Sequence, residues 1–76
     1  MMVYKTSDIV LASTLKVSGY NLSSVELQGS KGIFVFDAVE QSFLDQFDLG
    51  QILVEPTTFH GAVKQLTTIV RRKINN

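Results

Sequence analysis

Ser24-Val25-Glu26-Leu27-Gln28-Gly29-Ser30-Lys31-Gly32-Ile33-Phe34-Val35-Phe36 is the stretch that decides the fold. Ser24, Glu26 and Gln28 alternate with Val25 and Leu27, the period of two that a half-buried strand shows. Gly29-Ser30-Lys31-Gly32 reads as a turn with two glycines able to take positive φ. Ile33-Phe34-Val35-Phe36 is then the return strand of a β-hairpin. Leu22 has the opposite parity to Val25, which predicts a bulge or a late strand start near Ser23.

Helical periodicity begins on either side of the hairpin. Upstream, Val3-Tyr4-Lys5 is a short β-prone stretch, followed by Thr6, Ser7 and Asp8, three good N-cap residues in a row. Ile9, Leu11, Ala12 and Leu15 give an apolar stripe that Ser18-Gly19 ends, so a helix is predicted over residues 7–18. Downstream, Asp37 and Glu40 have the spacing of an acidic capping box. Val39, Phe43, Leu44 and Phe47 form the stripe of a second helix, which Gly50 closes. Ile52-Leu53-Val54 is a short extended piece, because proline at 56 disfavours helix just before it. Pro56 suits the first turn of a third helix, with Phe59, Val63, Leu66 and Val70 on one face, flanked by Ala62, Ile69 and Ile74. The expected order is β-α-β-β-α-(β)-α. This is a small α+β domain over residues 1–76, an antiparallel hairpin sheet packed by three helices.

Composition narrows the function classes. A chain of 76 residues makes one domain and buries roughly 60% of its unfolded surface. With 45% hydrophobic and 18% charged residues it belongs with globular chains rather than disordered ones. Zero cysteines exclude a disulfide scaffold, thiolate metal sites and a cysteine nucleophile. One histidine excludes a metal site that needs two imidazoles. No apolar run exceeds four residues, so no membrane span is expected. Residues 1–8 lack the long apolar core of a signal peptide, which points to the cytoplasm.

Four segments together carry a resemblance: Tyr4-Lys5-Thr6-Ser7-Asp8, Ser18-Gly19-Tyr20, Ile33-Phe34-Val35-Phe36-Asp37, and the run from Gly50 through Val54-Glu55-Pro56 to Phe59. The set resembles a family of short prokaryotic and phage-borne proteins classed as a domain of unknown function. The resemblance covers nearly the whole chain, and its motifs are structural: caps, turns and core residues. Position 55 is Glu where that family has Asp as a helix cap. The resemblance implies a phage or mobile-element setting and supplies no catalytic residue.

Candidate chemistry is sparse. His60 has Pro56, Thr57, Val63 and Lys64 as its helical neighbours, with no carboxylate to orient the ring, and reads as a surface residue. Asp37, Glu40, Asp45 and Asp48 lack the glycine and ligand spacing of a calcium loop and lie on a predicted helix. Gly29-Ser30-Lys31-Gly32 is too short for a phosphate loop and joins strand to strand. Neither a catalytic set nor a cofactor or metal site can be assembled from this inventory, so no enzyme is expected.

What remains is association. Charge is balanced in sum but not along the chain: residues 37–55 carry five acids and no base, and residues 56–76 carry Lys64, Arg71, Arg72 and Lys73 and no acid. Helix electrostatics accounts for bases near a helix end. A bipolar surface, on which the acidic segment of one copy meets the basic tail of another, is the sharper reading. Ile33, Phe34, Val35 and Phe36 put apolar side chains on both faces of one strand, and Ile69, Val70 and Ile74 extend the third helix beyond a small core. These seven residues are the expected interface of a homodimer or other homo-oligomer, or of a protein partner. The alternative is a nucleic-acid accessory protein that contacts phosphates through Lys64, Arg71, Arg72 and Lys73. A pI near 6.5 weighs against that alternative.

Overall fold

A computed structural model describes residues 3–75; residues 1, 2 and 76 lie outside it. The described residues run β1 (Tyr4–Thr6), α1 (Ile9–Val17), β2 (Leu22–Gln28), β3 (Lys31–Phe36), α2 (Gln41–Asp48) and α3 (Pro56–Ile74). The three strands form one antiparallel sheet in the order β1-β3-β2, so the return strand of the hairpin is also the middle strand. The α+β class and the element order expected from the sequence are both present.

The hairpin turns on Gly29 and Ser30, since Gln28 and Lys31 face each other across the ladder. Gly29 takes φ +65°, the positive value a two-residue hairpin loop needs at its first position. Lys31 and Gly32 already belong to β3, so the turn is tighter than the four residues read from the sequence. The register shifts between Leu22 and Ser24, which puts the bulge at Ser23. Ser23 Oγ donates to the Val35 carbonyl at 3.1 Å, occupying the bulged position.

β3 sends Phe34 and Phe36 to one face, where they join Leu11, Ala12 and Leu15 of α1, Val25 of β2 and Leu66 of α3 in a single buried cluster. Leu11 to Leu15 are buried without a break, so α1 is the central helix, enclosed on more than one side. It packs most extensively on α3. Val39, Phe43, Leu44 and Phe47 bring α2 against the edge of the same core, with the Phe43 ring edge-on to Tyr20 at 5.1 Å.

Caps set the helix limits. Asp8 is the N-cap of α1 and accepts from the Val10 and Leu11 amides at 2.9 and 3.3 Å, so the helix starts two residues later than its earliest candidate. Both α1 and α2 end in paired bonds of the Schellman type: Tyr20 to Leu15 and Gly19 to Lys16, then Gln51 to Gln46 and Gly50 to Phe47. The capping box expected at Asp37 and Glu40 does not form. Asp37 Oδ2 instead accepts from Asn21 Nδ2 at 2.7 Å, and the Asp37 amide donates to the Asn21 carbonyl. Ala38 follows at φ +46°, so the chain bends before α2, and its N-cap Glu40 makes no side-chain capping bond. The bracketed strand at 52–54 is likewise unpaired: Ile52 and Val54 are half-buried and Leu53 points out, but no strand lies beside them.

Glu55 is the N-cap of α3. Its carboxylate accepts from the Thr57 amide at 2.8 Å, from the Thr58 amide at 2.9 Å and from the Thr58 hydroxyl at 2.9 Å. Those bonds, the Thr57 amide first, hold the carboxyl below the usual glutamate range. A lowered folded-state pKa contributes stability that is complete above the unfolded value, about 4.3, and is lost as pH falls through the folded value. Thermal midpoints measured down this acid range should therefore fall less steeply for Glu55→Gln than for the wild type. Parallel curves for the two proteins would remove Glu55 from the acid response.

Candidate functional site

Among the described residues an apolar groove of about 360 Å³ lies at the hairpin end of the sheet. It is lined by Gly32 and Phe34 of β3, Val70 and Ile74 of α3, and Ile9 at the start of α1. Lys31 and Arg71 stand among its lining residues, and no acidic side chain does. Phe34 is buried, Val70 half-buried, and Ile74 remains 46% exposed, so the groove joins the core to solvent.

Gly32 sets how closely α3 approaches the sheet. A Cβ built at Gly32 would run into the Val70 side chain. The missing side chain lets α3 lie against β3 at this point. The sequence shows the glycine, but as a turn residue; its packing partner lies 38 positions away.

The seven expected interface residues separate into three environments. Phe34 and Phe36 are internal, at 3% and 0% exposure, and belong to the core of one chain. Ile33 and Val35 lie on the outer face of the sheet, but Val35 is only 5% exposed. There it is flanked by its ladder partners Lys5 and Ser24, and Lys5 Nζ reaches across β3 to Glu26 Oε1 at 3.3 Å. The bare second sheet face expected from the sequence is thus covered at Val35 by the neighbouring strands. Ile69 and Val70 pack against the core, and only Ile74 stands well into solvent.

Lys64, Arg71, Arg72 and Lys73 are all exposed, but they do not form one patch. At 3.6 residues per turn, Lys64 and Arg71 share a face two turns apart, while Arg72 and Lys73 fan round to the far side. Lys64 and Arg71 border a second, smaller depression of about 180 Å³ with Thr67 and Thr68. Arg71 therefore sits on the ridge between the two depressions.

His60 is exposed on the first turns of α3. No three His, Asp or Glu side chains among the described residues converge on a point that would hold a metal ion. Asp45 is engaged with Gln41 Nε2 at 3.0 Å and Asp37 with Asn21. Ser13 Oγ is buried without a hydrogen-bond partner but lines neither depression. No helix of the described residues is long and apolar enough to cross a membrane.

Sequence reading missed two further features. Leu49 and Leu53 are the most exposed large apolar side chains described, at 71% and 94%. For Leu53 the signal was present: Ile52-Leu53-Val54 alternates, and one parity of an extended segment must face out. No family model matches the chain, and neither the curated proteins nor the solved structures give a match.

Two substitutions test this description. Gly32→Ala should lower stability by about 1 to 3 kcal/mol in urea unfolding, because Val70 must move to admit the methyl group. His60→Ala should leave the unfolding free energy within about 0.5 kcal/mol of the wild type, as expected of an exposed side chain. A neutral Gly32→Ala would show that α3 does not rest on the sheet at that point.

Proposed function

We propose that this protein is a non-catalytic interaction module that self-assembles. The observation that carries the reading is the apolar groove at Phe34, Val70 and Ile74, open to solvent and edged by two cations. An open apolar concavity is the usual surface of a protein contact. Lys31 and Arg71 add a sign preference and favour an acidic partner surface.

A second reading draws on Lys64 and Arg71, which line one face of α3 with the hydroxyls of Thr67 and Thr68. Such a face can contact nucleic-acid phosphates. Its affinity would then drop steeply with salt and show little sequence preference. Titration of DNA and RNA at two salt concentrations separates this reading from the first.

Size-exclusion chromatography with light scattering, at high micromolar concentration, tests self-assembly. The expected mass is a multiple of 8.4 kDa. A mass of 8.4 kDa across that range overturns the proposal.

A further inference from the structure

The groove offers a backbone edge as well as an apolar lining. β1 stops at Thr6, opposite Phe34, because Ser7 and Asp8 turn the chain into α1. Residues of an antiparallel strand alternately bond to one neighbour and the other. Gln28 and Lys31 close the hairpin, so Lys31, Ile33 and Val35 bond towards β2, while Gly32, Phe34 and Phe36 turn towards β1. Phe36 and Phe34 meet Tyr4 and Thr6 there, but no β1 residue stands opposite Gly32. Its N–H and C=O therefore face the groove beside Val70 and Ile74.

The same chain carries a segment that suits this edge. Residues 51–55 are neither helical nor laddered, and Leu53 stands 94% exposed between half-buried Ile52 and Val54. Residues 37–55 hold five acids and no base, against a groove with Lys31 and Arg71 and no acid. Leu53 precedes the first residue of α3, whereas Val70, Arg71 and Ile74 occupy its last two turns. The two features lie about 27 Å apart along one helix. A two-fold axis that sets two α3 helices antiparallel brings each Leu53 to the other copy's groove in the same step.

We propose that Leu53 of one copy fills the groove of a second copy. Its extended backbone adds to the strand edge at Gly32, and Asp45 and Asp48 approach Lys31 and Arg71. This rests on the self-assembly reading above and names the surfaces that meet. Each groove is incomplete until the partner supplies its leucine.

Light scattering on the wild type, Leu53→Asp, Ile74→Asp and an equimolar mixture of the two variants tests it. Both side chains lie outside the core cluster, so both variants should fold, and a thermal melt of each verifies this. Each variant alone should dimerise about tenfold to a hundredfold more weakly. The mixture should recover association in part. It can form one intact pair, from Leu53 of the Ile74→Asp chain and the groove of the Leu53→Asp chain. Wild-type dimers that persist in both variants overturn this docking and leave self-assembly standing. A wild type of 8.4 kDa overturns both. Dissociated variants with no recovery on mixing also overturn the docking. Should a variant melt early, oxidising a mixture of Leu53→Cys and Ile74→Cys chains decides the matter in a protein with no cysteine of its own. A cross-linked heterodimer supports the contact, and its absence overturns it.

Discussion

Phe34 and Phe36 leave the middle strand on the same side, and the other elements are arranged to cover them. β3 is central because it pairs with β1 on one edge and β2 on the other, so its inward side chains reach the widest part of the core. Burying one phenylalanine contributes roughly 1.5 to 3 kcal/mol. In a chain of 76 residues, two such contacts are a large share of the total. α1 and α3 close over them with Leu15 and Leu66, both fully buried, and α2 completes one margin through Phe43 and Tyr20.

That arrangement has a cost at one end. β1 is three residues long, since the helix that must cover the phenylalanines begins almost at once after it. The middle strand therefore outruns its neighbour, and Gly32 is left without a partner on that edge. α3 leans on the sheet at the same place because Gly32 has no side chain to hold Val70 away. The groove is thus a by-product of covering a three-stranded sheet with a short chain. Its apolar lining is continuous with the core through Phe34.

Charge is distributed to match. The acidic stretch from 37 to 55 occupies α2 and the segment before α3, while α3 carries its bases towards the opposite end. Within one chain few of these charges pair: the ion pair among the described residues is Lys5 with Glu26, on the outer face of the sheet. Surface pairs of that kind contribute little to stability.

The sequence by itself determined the elements whose causes are local. The alternation from Ser24 to Gln28, the parity break at Leu22, and Gly19 and Gly50 as stops each depend on groups a few residues apart, and each stands where the local pattern puts it. Asp37 was misread because its hydrogen-bond partner, Asn21, is 16 residues distant and displaces the local capping box. Tertiary structure alone decided the candidate site. Which pair of β3 residues faces inward, how far β3 outruns β1, and how near Val70 comes to Gly32 are set when helices dock on a sheet. Contacts between residues 38 positions apart leave no periodicity in the chain to read.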